Sequence, residues 1–384
     1  MVAHAGIGRA RHMAVAENGD VFVALNNFRE SRGGVVELRD TNGDGRLEEV
    51  GRFGDNGGTG IALAGEHLWF ATNDAVLRYR IPAGATQPQG AVDTIVRGLP
   101  SERSHAAKSI AVTADGALFV NIGSPSNACQ ERDREPGAKG QDPCPELDTR
   151  AGIWRFDANE VGQRQADGER FATGLRNVVA LALGPGGQLY GAQHGRDQLH
   201  ANWPNLFTEQ QSAEQPSEEL VHITRGDDFG WPYCYHNAEL GRKVLAPEYG
   251  GNGSTPGRCA SAKMPLAAFP GHWAPNGLAF YTGGQFPRRY HTGAFIAFHG
   301  SWNRSPLPQA GYKVMFVPFE DGQVTAEPEV FADSFAGVAT VQRTADAQFR
   351  PMDLHQTPDG GMYIIDSVKG RIWKVMWEGV DETG

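Results

Sequence analysis

The chain has 384 residues, of which 40% are hydrophobic and 21% charged, enough apolar material for a full core. The formal net charge of -10, with no basic face or stripe, excludes an ordinary nucleic-acid binder. No run of about 18 apolar residues exists, which excludes a transmembrane helix and membrane insertion by one. The opening Met1-Val2-Ala3-His4 lacks the charged and apolar regions of a signal peptide, so it reads either as a cytosolic start or as a mature chain with a new Met. Glycine and proline, 50 and 23 residues, punctuate short strands and tight turns.

One two-part pattern recurs along the chain. Its first half is an aliphatic segment, a turn containing glycine and a second aliphatic strand. It runs from Met13 (MAVAENGDVFVA), Ile61 (IALAGEHLWFAT), Ile110 (IAVTADGALFVNIG), Leu181 (LALGPGGQLYGAQ), Leu278 (LAFYTGGQFP, then GAFIAFHG) and Met352 (MDLHQTPDGGMYIID). Apolar runs around Asn-Gly or Asp-Gly are the short-range hairpin signal. The second half follows each time, from Gly33 (GGVVELRD), Ala75 (AVLRYRIP), Gly152 (GIWRFDA), Glu218 (EELVHITR), Gly311 (GYKVMFVPF) and Gly370 (GRIWKVMW). An outer strand is visible in ERFATGL ahead of Arg176 and in EVFADSFAG ahead of Val338. Six units of three or four strands predict an all-β, six-bladed β-propeller that occupies residues 1–384 as one domain. Longer gaps at 124–150, 198–218, 232–275 and 305–310 read as loops at the blade tips. The sixth unit must take its outer strand from residues before Arg11. That segment is short, so loose closure, or a longer native N-terminus, is expected there.

The four cysteines flank two polar loops, Cys129 with Cys144 and Cys234 with Cys259, without C-x-x-C spacing. Two local disulfides are the simple reading and imply an oxidising compartment, periplasmic or extracellular; four free thiols are the alternative.

In a propeller the innermost strands line the axis, so polar residues at their ends are the candidates for a site. They are Ser104-His105 and Lys108, Arg176-Asn177, Gln193-His194-Gly195-Arg196-Asp197, His299 to Arg304, and Phe349-Arg350. Arginine forks bind carboxylates bidentately, and a histidine titrating near neutrality serves as a base. These residue types point to a carboxylate-bearing ligand beside a proton-abstracting His.

The same segments resemble the soluble quinoprotein sugar dehydrogenases, most closely the bacterial sorbosone dehydrogenase-like branch. The resemblance runs from about residue 8 to 377 and is carried by SHAAKSIAVTADGALFVNIGS at Ser104, GLRNVVALALGPGGQLYGAQHGRD at Gly174, DFGWPYC at Asp228, HGSWNR at His299 and FRPMDL at Phe349. It implies a six-bladed propeller that binds pyrroloquinoline quinone (PQQ) and calcium. It further implies His105 as the catalytic base and Arg176 with Asn177 at the reactive carbonyl. Arg350 and Arg304 would serve as cofactor-binding residues, and the backbone carbonyls of Gly195 and Arg196 as calcium ligands; Lys108 is a further cofactor-binding candidate from its place at the start of the third blade. Electrons would pass to a cytochrome or another acceptor. Ser104 stands where glucose-oxidising members carry an acid, and Met352 where they carry a second arginine, so glucose itself is not the implied substrate.

Asp40, Asn42 and Asp44 lie in a D-x-N-x-D-G stretch that reads as a calcium loop or as an ion-free Asp/Gly hairpin. His194 and His200 read as hydrogen-bonded loop histidines. Trp273, Tyr281 and Trp302 are candidates either for stacking on a ring or for packing between blades. The expected activity is a PQQ- and calcium-dependent oxidation of an aldose or sugar aldehyde. The competing readings are a calcium-dependent lactonase with a carboxylate-held axial metal, and a non-catalytic propeller that binds a partner.

Overall fold

Each two-part repeat folds into one twisted antiparallel sheet, and six such sheets stand around an axis. The computed structural model describes residues 1–27, 32–102 and 104–379. Blade 1 is built from Ala10–Val15, Val21–Leu25, Gly34–Arg39 and Glu48–Phe53; blade 2 from Gly58–Ala64, His67–Thr72, Ala75–Arg80 and Asp93–Arg97. Blade 3 contains Ile110–Val112, Ala117–Ile122, Gly152–Asp157 and Glu169–Thr173. Blade 4 contains Ala180–Leu183, Leu189–Gln193, Glu218–Ile223 and Ala267–Phe269. Blade 5 contains Pro275–Tyr281, Gly293–Phe298, Lys313–Glu320 and Glu329–Ala332. Blade 6 contains Pro351–Gln356, Met362–Asp366, Ile372–Val375 and, as its outer strand, Val2–His4. The expected six-bladed propeller is therefore the fold. Glu218 and Glu219 open the third strand of blade 4.

The inner strands touch in cyclic order, blade 1 to 6 and back to 1. Between each pair of blades lies an apolar core, for example Leu118, Val120 and Trp154 packed on Trp69 and Val76 between blades 2 and 3. Strands buried on both faces explain the near-continuous aliphatic runs of the repeat. Each fully buried aliphatic side chain contributes about 1.5–3 kcal/mol, so the ring is held by six such cores rather than one.

Closure is firm rather than loose. Val2 pairs with Trp373 and His4 with Ile372. Gly6 N and Ile7 N both donate to Gly370 O, and Ala3 and Ile7 are buried in the core between blades 6 and 1.

The insertions gather over one end of the ring. Two short helices, Leu199–Asn202 and Glu209–Glu214, and a hairpin, Cys234–Asn237 with Arg242–Leu245, extend blade 4. Both expected disulfides form, Cys129–Cys144 and Cys234–Cys259. The two loops they close also bind each other: Cys144 N donates to Tyr233 Oη at 2.8 Å, and Tyr249 Oη donates to Ala128 O at 3.1 Å. Among the described residues no helix is long and apolar enough to cross a membrane.

Candidate active site

Antiparallel pairing brings the start of every inner strand and the end of every second strand to the same end of the axis. That places His105, Arg176, Asn177, His194, His299 and Arg350 at one mouth. Below them the inner strands enclose a channel of about 270 Å³ lined by Ile61, Ile110, Leu181, Leu278 and Asp353, among others.

His105 has a left-handed φ of 49°, a region in which histidine is several-fold enriched. Its Nδ1 lies 2.7 Å from Ser124 O and 3.2 Å from Ser124 Oγ. Ser124 Oγ donates to Ser126 O at 2.7 Å, so both serine oxygens are left as acceptors for the ring. Nδ1 therefore carries the proton and Nε2 presents a lone pair. Burial, then the Arg176 charge, pushes His105 down to about 3, so the imidazole is neutral at pH 7. A Cβ on Gly123 would lie 2.6 Å from His105 Cβ and 2.8 Å from Asn177 Oδ1. Only glycine allows these two groups to flank one backbone.

Arg176 is buried, and four of its N–H groups are taken: by Asn127 O, Asn127 Oδ1, Asp197 Oδ2 and Gly195 O. Asn177 Oδ1 accepts from Asn121 Nδ2 at 3.2 Å. The GLRN and DFGWP segments meet at Gly174, whose φ is +72° and where a Cβ would lie 2.3 Å from Asp228 Oδ1. Arg350 is half-buried; Nε donates to His299 O at 2.9 Å and Nη2 to Gly300 O at 2.5 Å. Three of its five N–H groups remain for a ligand.

Arg304 is used differently from its expected role. Its guanidinium donates to Pro308 O at 3.2 Å, Ala213 O at 2.5 Å, Gly271 O at 3.2 Å and Glu214 Oε1 at 2.6 Å. It ties the end of the second short helix to the 304–308 loop, and one N–H is left. Lys108 is fully buried, donates to Ala106 O at 2.6 Å, and is lowered by desolvation to about 8.

Sequence reasoning missed Arg9 and Arg11, which lead into blade 1. Burial pushes Arg11 down to about 10, with Arg9 adding to the shift and Asp353 opposing it. His299 is held well below its ordinary value by burial, then by Arg350, Arg11, His194 and Arg9. One pattern could have exposed the pair: they lie at the start of the first inner strand, Arg9 just before it and Arg11 within it, much as Arg176 and Arg350 precede the fourth and sixth. His194 is neutral as well, lowered by burial to about 4, and its Nε2 lies 3.0 Å from both Pro275 O and Asn276 Oδ1. His200 Nδ1 donates to Phe207 O at 2.6 Å. The mouth is thus a positive field around neutral imidazoles.

Met352, in place of a second arginine, is fully buried, with Asn276 Nδ2 3.4 Å from its sulfur. Trp273 and Tyr281 are packing residues, against Phe298 and Phe286, whereas Trp302 is 61% exposed.

The expected metal positions are less open. Gly195 O accepts from Arg176 Nη1 at 2.9 Å, and the Arg196 side chain pairs with Glu248. Glu218, raised by burial to about 7, accepts from Gly195 N at 2.9 Å. In the Asp40 loop the carboxylate accepts from Gly43, Asp44 and Gly45 N–H. Asn42 Oδ1 accepts from Asp44 N, and Asp44 Oδ1 from Arg46 N. These bonds account for the shape of the loop without an ion. Among the described residues the one cluster of three potential metal-binding side chains is Cys129, Cys144 and Glu146, whose sulfurs form a disulfide.

A closed six-bladed ring with an arginine- and histidine-lined mouth defines a narrow class of propellers. The family model described as TrAA12-like matches residues 1–378, and the chain belongs to that family. An uncharacterized protein of Borreliella burgdorferi is 28% identical over 212 residues, 55% of this chain and 49% of the relative. A pyrroloquinoline quinone-dependent pyranose dehydrogenase of Coprinopsis cinerea is 28% identical over 199 residues, 47% of this chain and 26% of the relative. The matches thus span half or less of these relatives' length. A calcium structure of a Trichoderma reesei carbohydrate-active enzyme of family AA12 superposes with a TM-score of 0.77 at 18% identity. That match covers 98% of this chain and 95% of the other, and at this identity the likeness concerns the fold. The kinship expected from the sequence, with soluble quinoprotein sugar dehydrogenases, is borne out at the level of the family.

Proposed function

We propose that the chain is a PQQ-dependent dehydrogenase that oxidises an aldose or sugar aldehyde, with His105 as its base. The observation that carries this reading is the neutral His105, with Nδ1 engaged by Ser124, at the same mouth as Arg350, whose guanidinium keeps N–H groups for a ligand. A guanidinium with spare donors in a positive field suits a planar tricarboxylate, which it can bind through paired hydrogen bonds. The residues present therefore fit PQQ. Arg350 would bind its carboxylates, with Arg11 and Arg9 adding positive potential, while Arg176 and Asn177 would face the reactive carbonyl. Arg304 and Lys108 would act through the loops they hold. When bound, PQQ supplies a quinone able to accept a hydride from the sugar carbon.

His105 takes the substrate's hydroxyl proton at Nε2 while Nδ1–H stays on Ser124 O. Arg176 lies close enough to destabilise the imidazolium, so the proton is passed on readily to solvent. Arg176 also offers its remaining N–H to developing negative charge, an electrostatic contribution that is often the largest in such sites. Electrons leave to a cytochrome or, in vitro, to a dye. Two disulfides support a periplasmic or secreted location.

Calcium fits less well. The carbonyls of Gly195 and Arg196 are hard donors, but the first already accepts from a guanidinium. No step is assigned to the ion. Asp40, Asn42 and Asp44 are kept as a structural calcium loop, to be tested by titration.

The test is to add PQQ, with and without calcium, to the purified chain and follow quinone absorbance and dye reduction across a panel of aldoses. Saturable binding at micromolar PQQ and aldose-dependent reduction are expected. Absence of binding overturns the cofactor assignment.

A further inference from the structure

Arg176 is held by a cage whose central member is Asn127. A guanidinium has five N–H groups. Here Nε donates to Asn127 O at 3.2 Å, and Nη2 donates to Asn127 Oδ1 and Asp197 Oδ2, each at 3.1 Å. Nη1 donates to Gly195 O at 2.9 Å, so one N–H on Nη1 has no protein partner.

Asn127 is itself fully buried, and every polar atom it has is used. Its N donates to Asp133 Oδ1 at 2.9 Å, and its O also accepts from Trp231 Nε1 at 3.0 Å. Its Oδ1 accepts from Asp197 N at 2.8 Å, and its Nδ2 donates to Asp197 O at 3.0 Å. The planar amide thus grips the Asp197 backbone through donor and acceptor together, and uses the second lone pair of Oδ1 on Arg176. Asp197 closes the cage: its carboxylate takes Arg176, Arg134 and Asn303 Nδ2, with His272 Nδ1 3.6 Å from Oδ1.

We propose that Asn127 is the positioning residue of Arg176. With Asp197, it fixes the guanidinium so that a single Nη1–H is presented to an oxygen of the bound quinone. Asparagine suits the task because it joins an acceptor with two lone pairs to a donor. Serine cannot span both partners, and aspartate lacks the donor. This inference rests on the PQQ reading and adds a part to it.

The experiment is a double-mutant cycle on PQQ affinity, read by quinone absorbance rather than by turnover, with thermal melts to confirm folding. Asn127→Ala and Arg176→Ala are each expected to weaken binding about tenfold or more. The double variant is expected to bind within about threefold of Arg176→Ala, because the two act as one unit. Losses that multiply, or an Asn127→Ala that binds like the wild type, overturn the proposal. If Asn127→Ala does not fold, Asn127→Ser takes its place in the cycle under the same criteria. Asn127→Asp, which keeps the acceptor but sets a carboxylate oxygen against Asp197 O in place of the Nδ2 donor, is expected to weaken binding by at least about threefold; wild-type affinity counts against the role of that donor. A wild-type chain that binds no PQQ removes both the cofactor reading and this one. A wild type that binds, with an additive cycle, removes only this one.

Discussion

Ser124 decides which nitrogen of His105 is basic, because both of its oxygens are left to accept. His105→Ala should retain PQQ affinity within a few-fold and lose about 10²–10⁴ in turnover, the usual contribution of a general base. Equal loss of binding and turnover would instead make it a ligand of the cofactor. The depressed value of about 3 also fixes a pH dependence. A base protonated only near pH 3 is fully available from pH 5 upward, so kcat/KM should show no rising limb near 6.5. A limb at 6.5 that disappears in His105→Ala would contradict the assigned environment. The same burial affects His12, lowered to about 3, and His194, lowered to about 4. Unfolded histidines bind protons below about 6.5, so these groups oppose folding increasingly as the pH falls from 6.5 toward 4.

At the scale of elements, the inner and third strands of all six blades were legible because they are buried on both faces and read as aliphatic runs. Of the outer strands only Glu169–Thr173 and Glu329–Ala332 were legible; Glu48–Phe53 follows its neighbour as closely, but its EEVGRF sequence has no aliphatic run to mark it. Ala267–Phe269 was hidden because the hairpin Cys234–Leu245 and its disulfide loop separate it from the strand it pairs with. Arg176, Asn177 and Arg350 could be read as site residues from their place in the repeat. Arg9 and Arg11 hold a comparable place at the start of blade 1, but only ring closure brings them near His299. Asp353 shows what that closure imposes on a strand. Its Oδ2 accepts from Met13 N at 2.8 Å, joining the inner strands of blades 6 and 1, and burial raises its carboxyl from 3.8 to about 7. The folded chain therefore holds a proton that the unfolded chain releases between about pH 4 and 7, and stability from this group falls as pH rises through that window. Asp353→Asn keeps the acceptor and removes the titration. Measured by urea unfolding, the variant should gain on the wild type between pH 4 and 8 by an amount on the order of 1–3 kcal/mol. A difference that does not change with pH would show that Asp353 ionises without penalty.

For the whole molecule, the decisive contact joins the two ends of the chain. Blade 6 has three strands from the C-terminal region and one from the N-terminal region, so the ring is closed by hydrogen bonds rather than by a covalent link. Met1 N donates to Lys374 O at 2.8 Å, Lys374 N donates to Met1 O at 2.9 Å, and Leu47 N donates to Ala3 O at 2.8 Å. The seven-residue segment thus bridges blade 6 and the Leu47 region of blade 1. Removing residues 1–7 would bare the edge of Ile372–Val375 and open the core that contains Met13, Val36, Met352 and Ile365. Loss of Ile7 alone, as a buried side chain cut to nothing, should cost about 2–5 kcal/mol. The truncated chain is therefore expected to unfold at a much lower urea concentration and with a shallower transition, as blade 6 separates from blade 1 before the rest. Because Arg9, Arg11 and Arg350 sit on the two blades concerned, PQQ affinity should fall with it. A circular permutant that joins Val375 to Met1 through a short glycine-containing linker and opens between two other blades should restore both stability and affinity. If the truncated chain keeps the wild-type midpoint, the three C-terminal strands suffice and closure is not what holds the mouth in shape.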